Sequence, residues 1–176
     1  MIRAFIGVGS NIEPEENVRE ALRRLAQDTH LVSISTFYRE PALGHLAEPD
    51  FYNGVVAVDT DLPALTLKWD VLRRIETDLG RSRSADKYAS RTIDLDLLLY
   101  GDLVVSSNEL TLPDPDILRR AFVALPLHEL APALVLPGLE VPIRQVANGF
   151  VTENMQPLRE YTRQLQNELL TDQKSL

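Results

Sequence analysis

The stretch "SRTIDLDLLLYG", residues 90–101, decides how this chain folds, because it is typical of a β-strand with two carboxylates on one face. Asp94 and Asp96 alternate with aliphatic residues, so the two-residue period of a strand sends both aspartates to the same side. They then lie about 7 Å apart along the strand. An exposed edge strand would explain them as a polar face in water. The apolar run that continues through Tyr100 instead favours a central strand.

Two carboxylates this close repel each other, which raises one pKa unless a cation neutralises them. A basic loop at residues 81–90 leads directly into the strand. Carboxylate oxygens without cysteine indicate Mg²⁺, which keeps several waters and takes further ligands from substrate phosphates. Aspartates, magnesium and converging arginines are typical of phosphoryl transfer, where catalysis consists of positioning and charge neutralisation. The residues alone therefore predict a metal site at Asp94 and Asp96.

Composition narrows the function classes further. A length of 176 residues with 44% hydrophobic side chains fits one globular domain. The absence of cysteine excludes disulfides, thiolate catalysis and cysteine-ligated metals. A net charge of −8 argues against a nucleic-acid partner. Residues 73–91 nevertheless hold six basic and three acidic side chains, a local excess that suits a small polyanion.

Targeting and membrane signals are weak. The apolar stretch at the start is too short for a signal peptide. The longest apolar region, residues 121–139, is interrupted by three prolines, a histidine and a glutamate, so we expect no membrane-spanning helix. We expect a cytoplasmic protein without a membrane partner.

The apolar patterns predict the element order β-α-β-β-α-β, an α+β arrangement of the ferredoxin-like kind. Strands are predicted at 2–8, 31–38, 51–60 and the aspartate strand, and helices from Pro14 and over 63–79. The second helix has an apolar stripe at Leu65, Trp69, Leu72 and Ile75, and Gly80 ends it.

Additional strands and helices are predicted after the core. They are short strands at 103–105 and 109–112, a helical turn at 116–120, a proline-rich region and a small helix at 142–148. Residues 153–170 form an amphipathic helix through Leu158, Tyr161, Leu165 and Leu169. We therefore divide the chain into a domain at 1–150 and a helical C-terminal extension at 151–176. The extension packs on the domain or on a second subunit.

Common nucleotide-binding signatures are missing. The sequence contains no G-x-x-x-x-G-K-[ST] motif, which excludes a P-loop enzyme. "GVGSN", residues 7–11, lacks the third glycine of a dinucleotide loop, and we interpret it as a tight turn after the first strand. His30, His45 and His128 show no ligand spacing and are interpreted as structural.

The stretch "KYASRTIDLDLLLYG" (87–101) resembles the signature of the 6-hydroxymethyl-7,8-dihydropterin pyrophosphokinase family. The resemblance covers residues 1–150 in the same order and spacing. It also includes "IGVGSN", "STFYREPALG", "DFYNGVV", "RRIETDLGRSR" and "RRAFVALPLHELAP". The family's fold is ferredoxin-like, in agreement with the predicted element order.

The resemblance implies transfer of an intact pyrophosphoryl group from ATP to the hydroxymethyl oxygen of the pterin, leaving AMP. It makes Asp94 and Asp96 the ligands of two Mg²⁺ ions that bridge the triphosphate, and one ion would lower the pKa of the attacking hydroxyl. Arg81 and Arg91 join the two aspartates as catalytic residues.

The resemblance also implies the ATP contacts, which are Glu76, Arg81, Arg83, Lys87, Tyr88, Arg91 and Arg120. Guanidinium groups match phosphate oxygens geometrically, which suits the arginines in this set. We expect Arg73 to be an ordinary exposed helix residue.

For the pterin, the family places the flat ring between two aromatic side chains, here Phe51 and Phe122. Asn53 reads the edge of the ring, and Pro41 and Leu43 line the loop beside it. Core packing is the rival explanation for the two phenylalanines. Asn53 is harder to explain that way, because a buried amide without partners costs about 1–3 kcal/mol.

The chain departs from the family pattern after Pro113, where many members carry histidine and this sequence has Asp114 followed by Pro115. An anion near the phosphates should weaken ATP binding. One alternative function is therefore a nucleotide- or pterin-binding protein of the same fold that has lost catalysis. Another is a different Mg²⁺-dependent phosphotransferase, which would not need the pterin residues. We expect a monomer, with a dimer through the C-terminal tail as the alternative.

Overall fold

The computed structural model describes residues 1–41, 49–81 and 90–171 of the chain. Over these ranges the protein is a mixed α/β structure in which an antiparallel sheet lies between two layers of helices. The strands are β1 (Ile2–Ser10), β2 (His30–Ile34), β3 (Tyr38–Glu40), β4 (Phe51–Thr60), β5 (Asp94–Tyr100), β6 (Val105–Ser106), β7 (Thr111–Leu112), β8 (Val135–Leu136), β9 (Val141–Pro142) and β10 (Gln156–Pro157). The helices are α1 (Pro14–Asp28), α2 (Ala64–Thr66), a π-helical stretch (Leu67–Leu72), α3 (Arg73–Asp78), α4 (Asp116–Arg119), α5 (Ala121–Leu130), α6 (Ile143–Asn148) and α7 (Arg159–Thr171).

The main sheet has the strand order β10-β3-β4-β1-β5, and β2 also pairs with β4. Every pairing in it is antiparallel. The two small sheets pair β6 with β7 and β8 with β9. The long central strands β1 and β4 therefore fix the register of the residues on both sides of them.

One side of the sheet, here called the core face, carries Ala4, Ile6 and Val8 of β1 and is covered by α1, α3 and α7. Helix α1 has proline in its first turn and two acids beside it, which favours initiation there. Its predicted apolar stripe is buried as expected, at Val18, Leu22 and Leu25. Burying each such side chain contributes roughly 1.5–3 kcal/mol, so this face supplies most of the hydrophobic stabilisation.

The opposite side, here called the site face, carries Phe5, Gly7 and Gly9 of β1. Helices α4, α5 and α6 cover its Phe5 end through Ile117, Val123, Leu127 and Ile143. The polar residues of the site face lie at the other end of β1, beside Gly9.

The prediction that the aspartate strand is central is wrong, because β5 ends the order of the main sheet and pairs only with β1 in the described part of the chain. Its outer backbone edge is satisfied by other groups. Leu95 N–H donates to Glu76 at 2.8 Å, Leu95 C=O accepts from Arg73 at 2.8 Å, and Leu98 C=O accepts from the Asp114 N–H at 2.9 Å. An apolar edge strand is stable here because helices cover both faces and side chains cap the edge.

Three further expectations need correction. The predicted strand 31–38 is divided into β2 and β3, which both pair with β4. In the helix predicted over 63–79, Leu65 and Trp69 are each 43% exposed, since the π-helical stretch adds a residue to the turn and buries other positions. The proline-rich region contains α5, in which Pro126 is buried together with Val123 and Leu127.

The helix predicted over 153–170 begins only at Arg159, as α7, because residues 156–157 pair as β10 instead. Helix α7 packs on the core face through Tyr161, Leu165 and Leu169. β10 pairs with β3, and Phe37 N–H donates to Thr162 Oγ1 at 2.9 Å. None of the helices in the described ranges is long and apolar enough to cross a membrane.

Candidate functional site

A row of residues across the sheet builds the site. Tyr38 on β3 opposes Asn53 on β4, Asn53 opposes Gly9 on β1, and Gly9 opposes Asp94 on β5. Residues opposite each other in a sheet share a face, so this row lies on the site face. A Cβ at Gly9 would lie 2.7 Å from Asn53 Oδ1 and 4.0 Å from Asp94 Cβ, so glycine leaves the space between them open.

Asp94 and Asp96 share the site face, as their spacing predicts. Asp96 opposes Gly7, and its side chain is 47% exposed, whereas that of Asp94 is 18% exposed. Partial removal of water by the surrounding protein, followed by the negative charge of Asp94, raises the pKa of Asp96 to about 7. Within the described residues, no three Asp, Glu, His or Cys side chains group as a metal site. Within these residues, Asp94 and Asp96 form a pair of carboxylates on one face.

Arginines surround the carboxylate pair. Arg81 Nη1 donates to Asp94 Oδ1 at 2.8 Å, and Arg91 Nη1 donates to Asp94 Oδ2. Both arginines therefore contact the first aspartate of the pair. Their side chains are 15% and 24% exposed, which strengthens these charge-assisted hydrogen bonds compared with those in bulk water.

Glu76 connects the arginines to the strand. Its side chain is only 2% exposed, and Oε1 accepts from Arg73 Nη1 at 2.6 Å, from Arg81 Nη1 and from the Leu95 N–H. A buried carboxylate requires such partners. Glu76 therefore positions Arg81 and holds α3 against the edge of β5.

The expectation that Arg73 is an ordinary exposed residue is wrong. Its side chain is 18% exposed and donates to Glu76, to the Leu95 carbonyl and, at 3.4 Å, to Asp96 Oδ1. Helical position alone gave no signal for this, because the strand edge that it contacts is 22 residues further along the chain.

Asn11 and Ser10 are site-positioning residues that the sequence analysis missed when it interpreted "GVGSN" as a simple turn. Asn11 is 1% exposed, donates to the Pro49 carbonyl at 3.1 Å and accepts from the Arg91 N–H at 2.7 Å. Ser10 Oγ donates to the Thr92 carbonyl at 2.6 Å. Two polar residues directly after a buried strand were the available signal. They anchor the chain that carries Arg91.

Of the remaining predicted residues, the structure describes Phe51, Phe122, Pro41 and Arg120. Phe51, two positions before Asn53, shares the site face and is half-buried. Phe122, in the first turn of α5, packs against the hydrophobic cluster of the same face. Pro41 is exposed after β3, and Arg120 is 41% exposed with Nε 4.0 Å from Asp116. Leu43, Arg83, Lys87 and Tyr88 lie outside the described residues.

Asp114 has a structural task in addition to its charge. Its N–H caps the edge of β5, and its Oδ1 accepts from the Asp116 N–H at 2.8 Å at the start of α4. Burial raises the pKa of Asp114. Its charge also contributes to the raised pKa of Asp96, after the contributions of burial and Asp94.

Paired carboxylates ringed by arginines on an open sheet face are typical of enzymes that act on phosphate groups. Residues 5–132 match the family model described as 7,8-dihydro-6-hydroxymethylpterin-pyrophosphokinase. This chain belongs to that family. It is 40% identical over 158 residues to the 2-amino-4-hydroxy-6-hydroxymethyldihydropteridine pyrophosphokinase of Haemophilus influenzae, covering 88% of this chain and 97% of the relative. It is 41% identical over 144 residues to the protein of the same name from Pseudomonas aeruginosa, covering 80% and 88%.

Solved structures agree at the level of fold. The crystal structure of Plasmodium falciparum HPPK-DHPS with pteroate superposes with a TM-score of 0.69 at 14% identity, covering 89% of this chain. This chain spans 47% of the length of that protein. The similarity confirms the mixed α/β architecture with its antiparallel sheet.

Proposed function

We propose that this protein transfers pyrophosphate from ATP to the hydroxymethyl group of 6-hydroxymethyl-7,8-dihydropterin in folate biosynthesis. The hydroxymethyl oxygen forms a bond to the β-phosphorus as the bond from that phosphorus to AMP breaks. The products are AMP and the pterin diphosphate. The observation that carries the proposal is the 40% identity, over nearly the whole length, to a relative named as this pyrophosphokinase.

The carboxylate pair fits Mg²⁺. Both side chains offer hard oxygens on one face. Burial and then the charge of Asp94 raise the pKa of Asp96, which supports a site where a cation would relieve the unfavourable like-charge interaction. Asp94 and Asp96 would hold the metal, and we extend this to two ions. Bound Mg²⁺ supplies charge neutralisation of the triphosphate and a lower pKa for the attacking hydroxyl.

The arginines contribute by binding the triphosphate. Arg81 and Arg91 both donate hydrogen bonds to the Asp94 carboxylate in the described structure. A triphosphate bound there would therefore lie within reach of both guanidinium groups. Arg120 directly precedes α5, which packs on the site face through Val123 and Leu127. Arg83, Lys87 and Tyr88 are proposed from the family pattern. For Glu76, its hydrogen bonds to Arg73 and Arg81 favour a positioning role beside the predicted ATP contact.

Asn53 and the two phenylalanines would bind the pterin. Phe51 and Asn53 share the site face with Asp94, and Phe122 approaches it from α5. Stacking on an aromatic ring contributes about 1 kcal/mol, and an amide can pair with the donor and acceptor edge of the ring. Pro41 and Leu43 complete the proposed lining.

We assign the core to the ferredoxin-like class. With β2 and β3 counted as one divided strand, the core strands lie in the order fourth, first, third, second. The two long helical segments that connect them, α1 and α2 through α3, both lie on the core face. These features support a split βαβ core. A cytoplasmic location and a monomeric state remain proposals from the sequence.

The test is a product assay with ATP, Mg²⁺ and 6-hydroxymethyl-7,8-dihydropterin, in which the nucleotides are separated afterwards. We expect AMP that depends on the pterin and disappears on chelation of Mg²⁺ or in Asp96→Ala. Asp102→Ala, in the exposed turn after β5, is the matched control and should keep full activity.

Other products would lead to different conclusions. ADP in place of AMP would identify an ordinary kinase. Saturable pterin binding without turnover would identify a binding protein and make Asp114 the first residue to replace.

A further inference from the structure

A second carboxylate lies on the pterin side of the site, away from the aspartate pair. Glu40 ends β3 and shares the site face with Asn53, because Tyr38, two residues earlier, opposes Asn53 directly. Glu40 Oε2 accepts a hydrogen bond from Asn53 Nδ2 at 3.0 Å. The Glu40 side chain is half-buried, and burial raises its pKa while the Asn53 hydrogen bond lowers it.

This contact fixes which way the Asn53 amide points. An ionised carboxylate only accepts hydrogen bonds, so the amide must turn its NH₂ group to Glu40 and its oxygen to the other side. The other side is Gly9, where Oδ1 occupies the space that a Cβ would need, at 2.7 Å. Oδ1 therefore faces the Asp94 end of the row.

Asn53 Oδ1 has an unused acceptor capacity. Asn53 is 8% exposed, and within the described ranges its hydrogen bond is the one through Nδ2 to Glu40. An amide oxygen that keeps acceptor capacity in a mostly buried side chain favours a ligand that offers an N–H at that point. The pyrimidine edge of a pterin presents such N–H groups.

We propose that Glu40 is a positioning residue for substrate selection, which holds the Asn53 amide so that Oδ1 accepts an N–H from the pyrimidine edge of the pterin. This inference rests on the proposed function. Glu40 acts through Asn53, and Gly9 leaves room for the arrangement. Replacing Glu40 should change the affinity for the pterin and not that for ATP. Asp94, Arg81 and Arg91 do not contact Glu40 in the described structure.

The test compares Glu40→Met, which keeps length but removes the acceptor, with Glu40→Gln, whose amide oxygen can still accept from Asn53. We expect Glu40→Met to raise the KM for the pterin about tenfold, the equivalent of one lost hydrogen bond to a buried partner. The KM for ATP should stay within about twofold, and Glu40→Gln should restore pterin KM to within about threefold of wild type. Arg39→Met is the matched control, since Arg39 is the next residue on β3 and pairs with Asp50 on the opposite face.

A calorimetric titration with 6-hydroxymethyl-7,8-dihydropterin, in the presence of a non-hydrolysable ATP analogue, accompanies each KM. Unchanged pterin affinity in Glu40→Met, or an equal loss for pterin and ATP, overturns the inference. If Glu40→Met does not fold, Glu40→Ala carries the same expectation. Wild-type protein that binds the pterin without forming AMP overturns the proposed function. In that case the calorimetric titration of the variants still tests whether Glu40 contributes to pterin binding. Wild-type protein that does not bind the pterin overturns both.

Discussion

The two faces of the sheet are built from the same strands but have different roles. On the core face, alternate residues of β5 such as Leu95 and Leu97 pack against α1, α3 and α7. On the site face, the residues between them include Asp94 and Asp96, whose mutual repulsion opposes folding. One strand thus contributes hydrophobic stabilisation through one half of its side chains and the candidate chemistry through the other half. We therefore expect mutations on the core face to change stability and mutations on the site face to change activity.

At the outer edge of β5, the same residues contribute to stability and to the candidate site. Arg73 and Glu76 belong to α3, which covers the core face, yet their polar groups reach the backbone of Leu95 and the carboxylates. The helix that closes the core therefore also orients the arginines of the site. Substitutions at this edge should affect both properties, whereas substitutions well inside either face should affect one.

Asp96→Asn should produce the largest difference between the effect on activity and the effect on stability. It removes one of the two proposed metal ligands, so we expect a loss of about 10³-fold in turnover, similar to the removal of one essential electrostatic group. The free energy of unfolding should stay equal or rise at neutral pH, because the substitution removes a repulsion with Asp94. Pyrophosphoryl-transfer rates and urea denaturation measure the two quantities. A strongly destabilised variant would contradict the division between the faces.

Leu165→Ala should lower stability and leave the kinetics unchanged. Leu165 is fully buried in α7 on the core face, and truncation of a buried leucine costs about 2–5 kcal/mol of stability. At a temperature where the variant is folded, both KM values should equal those of wild type. Gln164→Ala, an exposed neighbour, is the matched control for helix propensity. A raised KM for either substrate would show that the tail shapes the site.

The sequence predicted this division better than it predicted the contacts across it. Asp94 and Asp96 follow from strand alternation, and the tail stripe follows from helical spacing, since both depend on local periodicity. The edge position of β5 did not follow, because helices bury an apolar strand equally well at an edge or in the centre. The hydrogen bonds from the Leu95 N–H to Glu76 and from the Arg91 N–H to Asn11 join segments 19 and 80 residues apart, and no local period encodes them.

Asn11→Ala should test such a long-range contact. Asn11 is buried and hydrogen-bonds to Pro49, Ser90 and Arg91, so its loss leaves buried backbone groups unpaired at a cost of about 1–3 kcal/mol. We expect a moderate loss of stability together with a higher KM for ATP, since Arg91 is no longer anchored. Asn17→Ala, whose amide caps the Ile12 carbonyl from an exposed position, is the control. Normal ATP kinetics in Asn11→Ala would limit its role to folding.

The smallest effect is expected at the far end of the site face, where Arg3 and Asp59 form an ion pair on opposing strands. The hydrogen bond from Arg3 lowers the pKa of Asp59. A lowered carboxyl pKa adds stability above its ordinary value near 4, and that stability is lost as the pH falls through the lowered pKa. Because the pair is near the surface, Asp59→Asn should cost less than about 1 kcal/mol at pH 7, and the difference from wild type should shrink as the pH drops below about 4. Urea denaturation at several pH values measures it. A constant difference would assign the effect to packing. Unchanged AMP formation in Asp59→Asn would show that this ion pair has no part in catalysis.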